Sequence, residues 1–268
     1  MVVTSSHSLN TYFVPSINYF MISDSSLPPT PILSRSISLI RTTNFSSGIW
    51  VTSLAFAVVQ RDGETYAIKV HMPGGFTTPE ALRTVADVAE RHGIPSVKIT
   101  NAQRIALIGI PEEKIDAVRS DLGDLEDGAT SLCIRYVKMC PGATWCKRGQ
   151  QVTYDIGMEM DKKYHRLQVP WKFKMAVSGC VNDCTEVCIR DLGLIGTSKG
   201  WNLMIGGNGG SRPRFAARLL ENIATEGEAL AAVEKVVAWI KSLERKCRIG
   251  KVVEEMGIDA IREEIFGT

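Results

Sequence analysis

The sequence predicts an α+β protein built from two consecutive domains. In the first block, two strands joined by a hairpin turn are followed by a helix, two more strands and a second helix. That order places two helices on one face of a small antiparallel sheet. In the second block, strands lead into two pairs of cysteines and two helices close the chain. With 268 residues, 44% of them hydrophobic, the chain can bury a core of this size.

Residues 1–50 differ in composition from the rest of the chain. They are rich in Ser and Thr, contain Pro28-Pro29-Thr30-Pro31, and carry Asp24 as their one acidic residue. We expect a disordered extension here. Two alternatives stay open, because an organelle transit peptide and translated sequence upstream of the true start would share this composition. No apolar run approaches the roughly 18 residues that a membrane span needs.

Residues 51–125 are expected to form the first domain. Alternating apolar residues around Arg61-Asp62-Gly63-Glu64 indicate a hairpin, and Thr78 followed by Pro79 is typical of a helix start. Gly93 ends the helical spacing. The predicted elements are strands at Leu54–Gln60 and Thr65–His71, a helix from Thr78 to Gly93, strands at Ser96–Thr100 and Arg104–Ile110, and a helix from Pro111 to Gly123.

Residues 126–268 are expected to form the second domain, in which two strands each lead to a cysteine pair. Helices are predicted where apolar residues keep a spacing of three or four, and strands where they form short runs. The predicted elements are strands at Leu132–Met139, Phe173–Ser178, Leu192–Ile195 and Asn202–Ile205, and helices at Thr144–Tyr164, Asp183–Arg190, Arg214–Ile223 and Gly227–Lys246.

The two cysteine pairs form C-x5-C and C-x3-C motifs, Cys140 with Cys146 and Cys180 with Cys184. Four thiolates that meet at one point can bind zinc or an iron–sulfur cluster. Structural zinc sites usually have two tight knuckles of two to four intervening residues, so the five-residue interval, which begins with Pro-Gly, favours a [4Fe–4S] cluster.

Seven cysteines in all, an odd number, do not fit a disulfide framework, and we expect a reduced, cytoplasmic chain. Cys133 and Cys247 are interpreted as small buried apolar residues. Cys188 receives the same interpretation, although its place one helical turn after Cys184 leaves a role as a substitute ligand open.

The cysteine region resembles the sirohaem–[4Fe–4S] domain of sulfite and nitrite reductases. The resemblance also covers residues 51–125, where Gln103-Arg104 in a strand-entry turn is similar to the family's ferredoxin-like half-domain. The fold implied is a ferredoxin-like half-domain followed by a sirohaem/[4Fe–4S] α/β domain, present once as in the small members of the family. The motifs that carry the resemblance are Cys140-Pro141-Gly142-Ala143-Thr144-Trp145-Cys146, Ser178-Gly179-Cys180-Val181-Asn182-Asp183-Cys184, Gly193-Leu194-Ile195-Gly196 and Asn202-Leu203-Met204-Ile205-Gly206-Gly207-Asn208.

The resemblance implies specific cofactor ligands. In the family, four cysteines hold the cluster and the last one bridges to the sirohaem iron, which points to Cys140, Cys146, Cys180 and Cys184, with Cys184 as the bridge. One departure is Val181, because the family usually has proline after the third cysteine. A proline would fix φ in that loop, so its absence leaves the cluster loop less constrained.

The resemblance also implies residues that bind anions. Arg135, Lys172 and Lys174 match the family's substrate pocket, and Arg104 lies near another family arginine whose strict register falls on Ala102. The alternative for the two lysines is a solvated strand face. The glycine-rich segment is expected to open a helix and so to present N–H groups to anions, and it is similar to the part of the family that meets sirohaem carboxylates. The alternative is a plain surface loop. Its candidate residues are Asn208, Gly209, Arg212 and Arg214.

The function implied is reduction of sulfite to sulfide or of nitrite to ammonia, and the sequence does not choose between the two oxyanions. The chain has no flavin or nicotinamide motif, so electrons would come from an external donor such as a ferredoxin or a reductase subunit. Two other hypotheses stay open: an iron–sulfur electron-transfer or accessory subunit without sirohaem activity, and a zinc-stabilised binding module.

Charge and histidine content limit the remaining options. A net charge of +2 does not favour nucleic acid or a membrane surface as a partner. The four histidines, His7, His71, His92 and His165, show no metal-ligand spacing along the chain, and the sequence assigns none of them to a metal. His92, just before Gly93, is interpreted as a helix C-terminal residue.

Overall fold

The computed structural model describes residues 56–130, 132–244 and 247–267. The expected extension at residues 1–50 lies outside these ranges. The first sheet has four antiparallel strands in the order β1-β2-β4-β3. Helices α1 and α2 contribute to its core. The elements are β1 (Val58–Val59), β2 (Thr65–Val70), α1 (Pro79–Arg91), β3 (Ser96–Ile99), β4 (Ile105–Pro111) and α2 (Ile115–Leu122).

Local sequence explains how this sheet and its helices begin and end. The Asp62 carboxylate accepts hydrogen bonds from the backbone N–H of Glu64 and Thr65, each at 3.0 Å, which fixes the hairpin turn. The Thr78 hydroxyl accepts from the Ala81 N–H at 3.2 Å and caps α1, as predicted. Gly93, with a φ of 61°, follows the end of that helix.

The second sheet has five strands in the order β5-β6-β7-β8-β9. The first three strands run parallel, and the last two join as antiparallel neighbours. Residues on one face of the sheet form a single core with the helices. The elements are β5 (Ile134–Met139), α3 (Gly142–Trp145), α4 (Tyr154–Tyr164), β6 (Phe173–Ser178), β7 (Leu192–Thr197), β8 (Gly200–Ile205), β9 (Ala217–Ile223), α5 (Glu226–Ser242), α6 (Ile249–Met256) and α7 (Ile258–Phe266).

The two faces of this sheet carry different chemistry. Phe173, Met175 and Val177 of β6 point into the helical core. Because side chains alternate along a strand, Lys174 and Ala176 point to the opposite face, and Lys138 of β5 pairs with Ala176 there. The sheet therefore has an apolar face for folding and a second face on which charged side chains lie.

Three predicted elements of the second domain are wrong. The helix predicted over Thr144–Tyr164 is interrupted, since α3 ends at Trp145 and α4 begins at Tyr154. The segment Asp183–Arg190 is a turn with a short 3-10 helix at Val187–Ile189. It is not an α-helix because the Asp183 carboxylate accepts hydrogen bonds from the backbone N–H groups of Val187 and Cys188. The third error is the helix predicted at Arg214–Ile223.

That third segment is strand β9, which pairs with β8. Its apolar residues fit either a helical or an extended pattern, and only pairing with the sheet decides between them. Helices α6 and α7 at the C-terminal end were not predicted. Within the three described ranges, no helix combines the length and the apolar character needed to cross a membrane.

We predict that Gly157→Ala destabilises the protein by about 1–3 kcal/mol, as overpacking in a filled core does. A Cβ at Gly157 would lie 2.4 Å from Sδ of Met139. The Met139 side chain is 2% exposed and also lies against Gly74, so it has little room to move aside. Met139 directly precedes Cys140. Thermal and denaturant unfolding measure the change.

The matched control is Gly227→Ala, in the first turn of α5, where a Cβ would meet nothing within 4 Å. This variant should be neutral or stabilised by up to about 1 kcal/mol. Equal stability of the two variants would show that the packing around Met139 is not tight.

Candidate active site

The two cysteine pairs are brought together by the parallel pairing of β5 and β6. Met139 pairs with Val177, so the two strands end at the same edge of the sheet. Cys140 follows β5 directly, and its backbone N–H still donates to the carbonyl of Val177 at 3.3 Å. Cys180 follows β6 after one glycine. Neighbouring parallel strands thus deliver one cysteine of each pair to one place, which is where α/β sheets commonly bind ligands.

Backbone hydrogen bonds join the two cysteine segments. The carbonyl of Gly179 accepts from the N–H groups of Gln150 and Gln151 at 2.8 and 3.0 Å, and the Gly179 N–H donates to Sγ of Cys140 at 3.1 Å. A Cβ at Gly179 would lie 2.8 Å from the carbonyl oxygen of Gln151. Only glycine allows this close approach of the two cysteine segments.

The four cysteines suit a metal cluster better than a single ion. All four are free thiols; Cys180 is buried and Cys184 is exposed. Zinc bonds of about 2.3 Å to sulfur would place the ligand sulfurs about 4 Å apart. In the described ranges, no three of these sulfurs lie within 4.8 Å of one another. The spread sulfurs fit a larger centre, and the exposed Cys184 thiol can face a second group.

The loop that carries Cys184 is held by Asp183, which adopts a φ of 47°. Its carboxylate accepts from the N–H groups of Val187 at 2.7 Å and Cys188 at 2.9 Å. Burial, together with the Asp183 carboxylate, raises the pKa of the Cys188 thiol.

Three of the expected anion-binding residues lie close enough to influence one another. Partial burial lowers the pKa of Lys172, and the nearby charge of Arg135 lowers it further. Burial lowers the pKa of Lys174, with Lys172 as the next cause. Arg135 donates to the carbonyl of Thr130 at 2.6 Å. Cations that depress one another's pKa values make a site with a strong demand for an anion.

Arg104 has a different environment from the other three. It is 7% exposed, and its guanidinium forms an ion pair with the fully buried Asp127 and a hydrogen bond to the carbonyl of Arg135 at 3.4 Å. Its Nε is buried and has no hydrogen-bond partner among the described residues. Arg104 therefore positions the Arg135 segment and retains one donor for a further acceptor.

Further charged residues, which the sequence analysis did not identify, surround these four cationic side chains. Burial lowers the pKa of Lys69 to about 8, with Arg104 and Arg135 acting in the same direction and Asp127 opposing them. Arg248 donates from Nη2 to both carboxylate oxygens of buried Asp191, at 2.6 and 2.7 Å, and from Nε to Oδ1 at 3.2 Å. Burial raises the pKa of Asp191 to about 6 although Arg248 opposes it. No local motif marks these residues, because strands and helices distant in the chain bring them together.

The glycine-rich segment packs against the second cysteine loop. A Cβ at Gly207 would lie 2.5 Å from the carbonyl oxygen of Arg190, and Asn208 exchanges two backbone hydrogen bonds of 2.9 Å with Arg214. The segment leads into a strand, so the prediction that it opens a helix is wrong. Asn208 is buried, Gly209 and Arg212 are exposed, and Arg214 pairs with Glu254 at 2.6 Å.

Comparison with known proteins identifies the family. Residues 131–268 match the model of the nitrite and sulphite reductase 4Fe-4S domain, and residues 58–125 match the nitrite/sulfite reductase ferredoxin-like half domain. The chain belongs to the nitrite and sulphite reductase family, and it is an oxidoreductase of that class. The predicted resemblance and fold class are confirmed. The cofactors of the family are a [4Fe–4S] cluster and sirohaem.

Individual relatives share this two-part unit to different extents. The chain is 38% identical over 212 residues to an assimilatory-type sulfite reductase of Nitratidesulfovibrio vulgaris, covering 79% of this chain and 97% of that protein. It is 39% identical over 204 residues to a nitrite reductase [NAD(P)H] of Bacillus subtilis, covering 75% of this chain and 25% of that protein. The chain thus spans nearly all of the first relative and about a quarter of the second.

Two solved structures share the fold. The Mycobacterium tuberculosis NirA protein superimposes with a TM-score of 0.64 at 22% identity, over 75% of this chain and 39% of that chain. Dissimilatory sulfite reductase I superimposes with a TM-score of 0.65 at 14% identity, over 76% of this chain and 69% of that chain. At these identities the comparison shows the fold alone.

We predict that Asp183→Ala lowers the iron bound per chain, because the Cys184 loop loses both hydrogen bonds from the Asp183 carboxylate. Losing such a cap costs about 1–2 kcal/mol. Iron content and the melting temperature of anaerobically purified protein measure the two effects.

Asp62→Ala is the matched control, since Asp62 also caps a turn through two backbone N–H groups but lies in the first hairpin. Its free energy of unfolding should fall by about as much as that of Asp183→Ala, and it should keep its iron. Equal iron content in the two variants would contradict a role for Asp183 in the cluster loop.

Proposed function

We propose that this chain reduces sulfite to sulfide at a sirohaem linked through Cys184 to a [4Fe–4S] cluster. The observation that carries the proposal is the meeting of two cysteine segments at the ends of neighbouring parallel strands, next to a sheet face lined with cations. The proposed cluster ligands are Cys140, Cys146, Cys180 and Cys184.

When bound, the cluster and sirohaem supply the electrons and an open iron position for the substrate. The residues of the chain supply the electrostatic field. Lys172, Lys174 and Arg135 neutralise the oxyanion, and lysines with lowered pKa values also give up protons readily as substrate oxygens leave as water. Arg104 holds this arrangement through Asp127 and Arg135.

The proposed sirohaem contacts follow from unsatisfied donors and from the glycine-rich segment. A tetrapyrrole with several carboxylates needs cations and backbone N–H groups. Nε of Arg104 and Nε of Arg190 are buried and lack a hydrogen-bond partner among the described residues. Asn208, Gly209 and Arg212 extend this donor set, whereas Arg214 would first have to leave Glu254.

Sulfite is placed first because the match spans 97% of a relative named as a sulfite reductase, whereas it spans 25% of a nitrite reductase of similar identity. Reduction of nitrite to ammonia is the second candidate, since the same cations suit either anion. An accessory electron-transfer role is the third, and a Bacillus subtilis protein named as an electron transfer subunit of assimilatory nitrate reductase is 28% identical over 207 residues.

The electron donor is proposed to be a separate protein, such as a ferredoxin or a reductase subunit, acting in the cytoplasm. Optical spectra of anaerobically purified protein separate the candidates, because sirohaem adds Soret and red bands to the broad absorption of a cluster. Turnover with a reduced viologen and either sulfite or nitrite then identifies the substrate. A cluster spectrum without sirohaem bands would favour the accessory role.

Cys184→Ser should reduce sulfite turnover by at least about 100-fold, because even residues that only support metal ligands change activity by about 10–100-fold. The coupling between cluster and sirohaem, visible by electron paramagnetic resonance, should be lost with it. Cys247→Ser is the control, since Cys247 packs against the helical core. Unchanged turnover and coupling in Cys184→Ser would rule out the bridge.

Lys172→Met and Lys174→Met should each raise the KM for sulfite about tenfold or more, because a charge-assisted hydrogen bond contributes about 1.5–3 kcal/mol. In the native enzyme the KM should rise with pH in the alkaline range, since a lysine is charged only below its pKa and both pKa values lie below the usual 10.5. Lys98→Met, on the exposed edge strand β3, is the control. Equal KM values in all three variants would contradict the assignment.

A further inference from the structure

An ion pair joins the strand before the first cysteine of the motif to the loop after the last one. Lys138 lies two residues before Cys140 on β5, and Glu186 lies two residues after Cys184. Nζ of Lys138 lies 2.9 Å from Oε2 of Glu186, and Arg190 pairs with the same carboxylate oxygen. Lys138, Glu186 and Arg190 therefore form a charge triad where the two cysteine segments meet.

The two cations of the charge triad are buried, whereas its carboxylate is partly exposed. The side chains of Lys138 and Arg190 are 7% and 4% exposed, and that of Glu186 is 40% exposed. Salt and water screen buried charges much less than exposed ones. One positive charge is in excess within the triad, and the less screened charges are both positive. The triad thus places a positive field at the ends of β5 and β6.

The charge triad lies on the face of the sheet to which the first cysteine points. Side chains alternate along a strand, so those of Lys138 and Cys140 lie on the same face. The Cys140 N–H donates to the Val177 carbonyl at 3.3 Å, so the strand pairing continues to this cysteine. Because two residues of chain span at most about 7 Å, Lys138 and Glu186 each lie within about 7 Å of a cysteine. Charges at physiological ionic strength act over about 8 Å.

The backbone conformation of Glu186 shows that its carboxylate is held in this place. Its φ of 61° and ψ of 41° lie in the left-handed region, which costs free energy for a residue that has a side chain. Its N–H donates to the Asp183 carbonyl at 2.8 Å, and its carbonyl accepts from the Ile189 N–H at 3.1 Å. A residue keeps such a conformation only where the surrounding contacts hold it. The triad is therefore a fixed arrangement of charges, as electrostatic preorganisation requires.

We propose that the charge triad raises the reduction potential of the [4Fe–4S] cluster at the neighbouring cysteines. This inference rests on the cysteine ligands of the proposed function. When the cluster accepts one electron from the external donor, its charge becomes more negative by one unit. Lys138 and Arg190 lower the free energy of that reduced form, and Glu186 offsets part of their effect. Net charge and solvent exposure around an iron–sulfur cluster are among the factors that set its potential.

Redox titration of the anaerobically purified holoprotein, followed by electron paramagnetic resonance of the reduced cluster, tests the proposal. Lys138→Met should shift the midpoint potential to more negative values, because it removes a buried positive charge. Glu186→Gln should shift it to more positive values, because it removes the negative charge and keeps the shape of the side chain. The second shift should be the smaller one, since Glu186 is the more exposed residue. Shifts of opposite sign identify an electrostatic role, because a loss of packing does not depend on the sign of the charge removed.

Three further variants serve as controls. Lys138→Arg keeps the charge, so its midpoint potential should stay close to that of the native protein. Lys163→Met and Glu234→Gln are the matched controls, since these residues form a Lys–Glu pair at 2.8 Å between α4 and α5, and neither should shift the potential. Iron content shows that each variant carries its cluster. If Lys138→Met lost its iron, the sign of the shift in Glu186→Gln would still decide.

The proposal is wrong if Lys138→Met and Glu186→Gln leave the midpoint potential unchanged, or if both shift it in the same direction. The titration uses neither substrate nor donor protein, so its result is independent of the proposed reaction. Absence of sulfite turnover in native protein that shows these shifts would contradict the proposed function and support the role of the charge triad.

Discussion

The parallel pairing of β5 with β6 is the constraint on which the proposed active site depends. Pairing of Met139 with Val177 fixes where both strands end, and the cysteine loops begin there. The hydrogen bonds of Gly179 to Gln150, Gln151 and Cys140 then join the two loops. The apolar face of the same sheet is buried under helices. Packing of this core therefore fixes the strands and, through them, the positions of the cysteines.

The opposite face of the sheet concentrates positive charge, which folding alone would not favour. Lys172 and Lys174 have lowered pKa values because burial and neighbouring cations disfavour their charged forms. Buried acids such as Asp127 and Asp191 hold some of the cations in place. A fold that keeps such a cluster loses some stability and gains a site that an anion completes.

Much of this site could be predicted from sequence because its strongest signals are local. The cysteine spacings, the Thr78-Pro79 helix start and strand β6 are short patterns with a direct physical meaning. The helix expected after Cys180 was wrong because the Asp183 carboxylate takes the N–H groups that a helix would use. The stacking of His71 on His165 could not be predicted, since residues 94 positions apart carry no shared pattern.

The most direct test is the location of iron in crystals of anaerobically purified protein, by anomalous scattering at the iron edge. We predict a compact group of iron peaks among the sulfurs of Cys140, Cys146, Cys180 and Cys184, and one separate iron peak beside Cys184. A single metal among the four sulfurs, or iron bound elsewhere in the chain, would contradict it.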